Sequence, residues 1–177
     1  MVITHLEKRL GRGQRIVFTI PLPGRKPVFM SMNIAESGRE SFGIVIVDAQ
    51  KFLDLWRADP HDLHRAEANG TPDSWPNDYK YRHAFEGFSQ GQDNPVPLAH
   101  VSYQAASRTI VSYRFLCFGK KERQEKLEYV SFTNGITRTI WLLSQGCTAF
   151  PVMCNMPGAH GLFLAAGAEG TSLHPLS

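Results

Sequence analysis

Apolar positions along the chain change period several times, and each change marks an element. Arg15-Ile16-Val17-Phe18-Thr19-Ile20 and Pro27-Val28-Phe29-Met30-Ser31-Met32-Asn33 are apolar runs of strand length, separated by the Pro/Gly turn from Pro21 to Lys26, so they predict a hairpin. A polar turn through Ser37-Gly38 leads to a third predicted strand, Phe42 to Val47. At Asp48 the period becomes helical. Ala49, Phe52, Leu53 and Trp56 fall on one stripe behind an aspartate suited to the N-cap.

Asp59-Pro60 to Asn69-Gly70 predicts a short helix, with a capping residue, proline at the first helical position and an Asn-Gly stop. Asn77-Asp78 opens another, with Tyr81, Ala84, Phe85 and Phe88 at helical spacing and Gly91 at the stop. The two prolines of Asn94-Pro95-Val96-Pro97-Leu98-Ala99 fix an extended backbone, suited to a strand edge or a cleft wall. Val101 to Tyr103 and Thr109 to Phe118 predict strands joined at Gln104 to Ser107, and the mixed charges of Lys120 to Lys126 predict a solvated excursion.

The stretch from Val130 to Val152 organises the rest. It predicts a strand, a tight turn, a helix with Ile136, Ile140 and Leu143 on one face and Gly146 at its end, and a second strand at Phe150-Pro151-Val152. Asn134 is the expected N-cap, and Gly135 lets another group approach the first turn closely. The flanks carry less pattern. Residues 1–14, with His5, Lys8, Arg9 and Arg12, read as a basic arm, residues 15–155 as one domain, and the Gly/Ala-rich residues 156–177 as a partly ordered tail.

Composition adds bounds. With 177 residues, 42% hydrophobic and 20% charged, the chain fits one globular domain with a real core. A net charge of +3 permits a nucleic-acid partner without demanding one. No apolar run has membrane-spanning length, and Lys8, Arg9 and Arg12 interrupt any leader-like core, so a cytoplasmic location is expected, extending to the inner-membrane surface. Cys117, Cys147 and Cys154 make no C-x-x-C pair and read as buried reduced thiols. His61 and His64 are spaced to share a helical face but lack further ligands nearby, which favours solvent-facing histidines over a metal pair.

Arg138 is the chemical anomaly. A cation in a helix's first turn opposes the partial positive charge of that end, unless an anion lies between them. Two readings stay open. In one, free backbone N–H groups, the Thr137 hydroxyl and the Arg138 fork converge on a phosphate or carboxylate. In the other, Arg138 pairs with a nearby acid or lies over the surface.

Phe132-Thr133-Asn134-Gly135-Ile136-Thr137-Arg138, followed by Trp141-Leu142, Gly146 and Phe150-Pro151-Val152, resembles the phosphate-binding segment of the ParB/sulfiredoxin superfamily. That segment runs as an acidic or polar residue, Gly, x, His or Arg, Arg, a helix, Gly and an Ile-Pro-Val strand. Gly43 to Asp48 running into Phe52 to Trp56, and Asn94 to Ala99, are similar to one branch, the Osa-type plasmid fertility-inhibition proteins. The likeness covers roughly residues 40–153 and implies an α+β fold, a single ParB/sulfiredoxin-like domain with a mixed sheet and inserted helices.

The resemblance implies that Asn134, Gly135, Thr137 and Arg138 hold nucleotide phosphate, with ATP as substrate, Mg²⁺ as cofactor, and ATPase and DNase activity. Arg138 and Thr137 would be catalytic. Glu86 is the candidate for the carboxylate that orients water or holds magnesium, with Arg82, His83 and Asp78 as weaker candidates. Implied partners are the transferred or plasmid DNA and the coupling ATPase or relaxase nucleoprotein of a type IV secretion system.

Departures from the pattern matter too. Ile136 stands where sulfiredoxin has its catalytic cysteine, which removes thiol chemistry, and Thr137 and the neutral Asn134 replace a cation and an acid. The helix-turn-helix half of chromosome-partitioning ParB proteins is absent. The rival expectation is a binding module without chemistry, docked on the coupling protein or the nucleoprotein.

Overall fold

The computed structural model describes residues 3–10, 13–33, 42–61, 64–113 and 120–176. Arg12, the turn at Ser37-Gly38 and the end of a predicted strand at 114–118, with Cys117, lie outside the described residues.

In chain order the elements are strands β1 (Thr4–Leu10), β2 (Gly13–Ile20), β3 (Val28–Asn33) and β4 (Phe42–Asp48), then helices α1 (Ala49–Arg57) and α2 (Arg65–Ala68). A single 3₁₀ turn at Trp75–Asn77 precedes α3 (Tyr81–Ser89), followed by β5 (Val96–Pro97), β6 (Ala99–Tyr113) and β7 (Lys120–Asn134). The chain closes with α4 (Ile136–Ser144), β8 (Ala149–Asn155), α5 (Met156–Ala166) and β9 (His174–Leu176). Two mixed sheets result, ordered β1-β2-β3-β5 and β7-β6-β8-β4-β9. Among the described residues only the β3–β5 and β6–β8 pairs are parallel. The molecule is a single α+β domain with helices inserted between strands.

Strand β4 lies between β8 and β9, and Ile44 to Val47 are all at most 4% exposed. A continuous apolar run is the expected signature of a strand covered on both faces. Asp48 ends it and caps α1, its carboxylate accepting from the N–H groups of Gln50 (3.1 Å) and Lys51 (2.9 Å). Ala49, Phe52, Leu53 and Trp56 are buried as their spacing requires, and Phe52 packs edge-on against Phe132 and Phe150. Each fully buried large side chain of this kind contributes about 1.5–3 kcal/mol.

Several elements differ from expectation. Residues 4–10, read as a loose arm, pair along β2 from Thr4 opposite Thr19 to Leu10 opposite Gly13. The helix expected over 59–70 shrinks to four residues, because the Asp59 carboxylate accepts from His61 N–H (3.0 Å) and closes a local turn instead of capping a helix. His61 then reaches the Tyr129 hydroxyl (3.3 Å) and shares no helix with His64. Asp78 likewise turns back onto Lys80 N–H (2.8 Å), so α3 begins at Tyr81, and Phe85 leaves the apolar stripe at 59% exposure.

The two strands expected over 101–118 and the excursion after them are a paired ribbon, β6 and β7 running antiparallel from His100–Asn134 to Tyr113–Lys120. Residues 156–166, read as tail, form α5, capped by Asn155, which accepts from Gly158 N–H (3.0 Å). Ala159, Leu162 and Ala166 of α5 enter the core. Its small residues are a packing requirement. A Cβ on Gly161 would stand 2.4 Å from the Tyr103 ring, and one on Gly158 would stand 2.8 Å from Cys154 Sγ.

Candidate functional site: a cation-lined cavity at the sheet crossover

Residues 94–99 carry the chain from one sheet to the other. Val96–Pro97 pair with Met30–Ser31 of β3, Leu98 N–H donates to the Ser31 carbonyl (2.9 Å), and Ala99 then joins β6 beside β8. Stacked prolines suit this passage, since they fix an extended backbone that needs few ladder bonds.

Helix α4 packs against this crossover. Gly135, and not Asn134, is its N-cap, with φ of 103° and no side-chain cap bond. The reason is steric: a Cβ there would lie 2.7 Å from both Cα and Cβ of Ala99. The glycine thus serves close approach of the helix to β6. Asn134 is exposed, and its side-chain oxygen accepts from Arg138 Nη2 at 3.5 Å.

Arg138 Nη1 donates to the carbonyls of Pro97 (2.6 Å) and Leu98 (3.0 Å). It fastens α4 to the crossover from one side and faces a cavity on the other. Half-buried, it has a pKa below the ordinary arginine value because burial disfavours the charged form. A guanidinium nonetheless stays charged in proteins, so its desolvation raises its demand for an anion.

The cavity has a volume of 370 Å³ and is lined by Lys80, His83, Asn94, Pro97, Thr137 and Arg138, together with Ala84, Gly87, Pro95 and Val96. Helix α3 is set at one rotation by Phe88, whose ring stacks on Trp141 of α4 at 4.3 Å, and by Tyr81, whose hydroxyl bonds Ser144 (2.6 Å). That rotation puts Lys80, His83, Ala84 and Gly87 on the cavity side. Lys80 is held above its ordinary pKa, first by a hydrogen bond with the Tyr79 side chain, so it too is a cation.

The structure therefore brings Thr137 and Arg138 into one cavity with Lys80 and His83. Glu86 does not line it. Its carboxylate accepts from Arg82 Nε (2.8 Å), and its other oxygen lies 3.9 Å from His83 Nδ1. Asp78 is engaged with Lys80 N–H. Lys80 and Asn94 are the polar lining residues outside the set of site candidates read from the sequence. The i, i+3 spacing of Lys80 and His83 was the available signal.

These residues do not form a protein-held magnesium site. Among the described residues no carboxylate lines the cavity, and no group of three His, Cys, Asp or Glu side chains could hold a metal ion. Cys147 and Cys154 are buried free thiols, both pushed up by burial, Cys147 to about 11. Among the described residues no helix is long and apolar enough to cross a membrane.

Fold and cavity together define a small α+β protein with a cavity lined by Lys80, His83 and Arg138 beside the crossover between its two sheets. Comparison with known proteins makes this specific. A family model of plasmid fertility inhibition factors matches residues 44–167, and the chain belongs to that family. It is similar to the Osa protein of Shigella flexneri, 30% identical over 138 residues, which are 78% of this chain and 61% of that protein. Its fold is similar to the crystal structure of an oncogenic suppression activity protein, described as a plasmid fertility inhibition factor, in its gold(I) cyanide derivative. The match has a TM-score of 0.66 at 26% identity and covers 96% of this chain and 78% of that one. The chain thus spans about three fifths of the length of the curated relative, 61%.

Proposed function

We propose that this protein is a plasmid-encoded fertility-inhibition factor that blocks conjugative or T-DNA transfer through a type IV secretion system, and that the Arg138 cavity is its phosphate site. Family membership supports the role. One observation carries the chemistry: Lys80, His83 and Arg138 line a single cavity, with no carboxylate among the described residues that line it. The arrangement of strand, Gly135 turn, α4 and Pro151-Val152 strand supports the ParB/sulfiredoxin-like reading of the domain, in which this turn meets nucleotide phosphate.

The proposed reactions are ATP hydrolysis and DNA cleavage in the donor cytoplasm, close to the coupling ATPase and the nucleoprotein awaiting export. Both require neutralising charge on phosphoryl oxygens and removing a proton from water. Arg138 and Lys80 supply the positive charge, and the Thr137 hydroxyl donates to one oxygen. Water attacks phosphorus, the bond to the leaving oxygen breaks, and the water's proton passes to His83 Nε2. Glu86, facing Nδ1 of the same ring, orients it and acts as a positioning residue.

A second reading is favoured by the same geometry. With no acid among the described residues lining the cavity and Glu86 already engaged by Arg82, the site also suits a catalytically inactive module that holds phosphate while docking on the coupling protein or nucleoprotein. Incubation with ATP and plasmid DNA, with and without Mg²⁺, separates them. Hydrolysis and nicking that both fall in Arg138→Ala, and fall about a hundredfold in His83→Ala with ATP binding retained, establish the enzyme. ATP binding without either activity in the wild type establishes the module.

A further inference from the structure

A second cavity, of 290 Å³, lies on the other side of the Pro97-Leu98 crossover, and among the described residues only Pro97 lines both it and the Arg138 cavity. Its polar half is Arg15, Ser31, Asn33 and His100, and its apolar half includes Phe42 and Met153. We propose that this cavity binds a small organic carboxylate: one anionic head on a compact apolar or aromatic body.

Arg15 carries the inference. It sits on β2 opposite Asn33 of β3, and its Nε is buried with no hydrogen-bond partner among the described residues. A buried guanidinium N–H left unmet bears its whole desolvation penalty, which an anionic acceptor removes. Among the described residues lining this cavity there is no Asp or Glu, so they offer the arginine no counter-charge. His100 stands at the same wall, its ring edge-on to Phe42 with centroids 5.4 Å apart. That pair marks where the polar half meets the apolar half.

Size and lining narrow the ligand further. The volume falls at the small end of ligand cavities, which suits a one-ring acid better than a nucleoside triphosphate. One arginine fork matches one carboxylate in bidentate geometry. Methionine side chains at the rim adapt to an apolar body of varied outline.

Two methionines give a local readout. With ¹³C-methyl methionine in the full chain, titration of benzoate should move the Met32 and Met153 signals saturably and leave the core Met30 signal in place. Arg15→Gln should weaken benzoate binding about tenfold or more, the expected loss of a charge-assisted bidentate contact. Should that variant fail to fold, Arg15→Lys keeps the charge without the fork and should weaken binding severalfold. Inorganic phosphate should bind more weakly than benzoate, because it leaves the apolar half unused. Absence of a saturable shift in the high-millimolar range, or unchanged binding in a folded Arg15 variant, overturns the proposal, and tighter binding of phosphate overturns the ligand class. None of these results bears on the Arg138 cavity.

Discussion

Two nine-residue helices, α1 and α4, each leave the end of a strand, and they begin in opposite ways. Asp48 starts α1 from extended backbone, and its carboxylate takes two of the orphan N–H groups and supplies negative charge to the positive end. Gly135 starts α4 from left-handed backbone with no side-chain cap, and the charge in that first turn is the cation Arg138. The far end of α4 is closed in the usual way, with Gly146 and Cys147 N–H groups donating to the Leu143 and Leu142 carbonyls (3.0 and 3.1 Å). Of the four ends of these two helices, only the start of α4 has no cap bond, and it lies beside Lys80 and His83. The same step in the chain makes a side-chain-capped joint in one place and an uncapped end that carries a cation in the other.

The largest expected effect tests why α4 begins on glycine. Gly135→Ala forces a side chain into left-handed backbone and against Ala99, which should cost about 3 kcal/mol. Urea unfolding measures it. A loss below about 1 kcal/mol would mean that the close approach to Ala99 is not what selects glycine there.

Next comes the open end itself. Arg138→Ala removes both the cation and the bond to the crossover carbonyls, so ATP affinity should fall about tenfold to a hundredfold and stability should fall with it. Lys80→Ala removes a cation from the exposed start of α3, and should lower ATP affinity severalfold with the urea midpoint unchanged. Calorimetric titration separates the two. Equal affinity in all three proteins would leave α4 with a merely uncapped end.

These contrasts explain what was readable in the chain. The α1 joint was legible in full, because a capping aspartate and a 3.6-period apolar stripe are both local signals. For α4 the helix and Arg138 were legible but the cap was not, since the selecting contact, Ala99 against Gly135, is 36 positions away in the chain, as the two numbers show. Helix α5 was missed because its packing face is made of Gly and Ala, small for the sake of Tyr103 and Cys154, which gives no apolar stripe. The β6–β7 ribbon was missed because Gln104 to Ser107 and Arg123 to Lys126 are exposed without alternation. In the site, Glu86 was the candidate acid for its place on the helix before Asn94-Pro95 and for the family resemblance, and neither signal says which face of α3 meets the cavity. The Phe88–Trp141 stack sets that rotation, and it places His83 in the cavity lining.

The closed end of α4 has a pH signature. Burial raises Cys147 from 9.0 to about 11, so between those values the unfolded chain has lost the thiol proton while the folded chain keeps it. The unfolded state then binds fewer protons, and stability falls as pH rises. At pH 10 the loss attributable to this group is about 1.4 kcal/mol. Urea midpoints of wild type and Cys147→Ala at pH 8 and pH 10 give it as a double difference. A difference near zero would mean that this end opens readily to solvent.

The smallest effect is the most direct check on the contrast between the two helix starts. Asp48→Ala strips α1 of its cap and should cost about 1 kcal/mol, whereas Asp48→Asn keeps the acceptor and drops the charge, costing only a few tenths. Neither should alter ATP affinity, because Asp48 lies away from the Arg138 cavity and spends its carboxylate on its own helix. If Asp48→Ala instead raised anion affinity, the uncapped α1 would have become a second binding end. The missing cap at α4 would then suffice by itself to explain anion binding there. If it lowers stability and leaves ATP binding alone, an open helix end is insufficient, and the cations gathered around it by α3 and the crossover are what make the site.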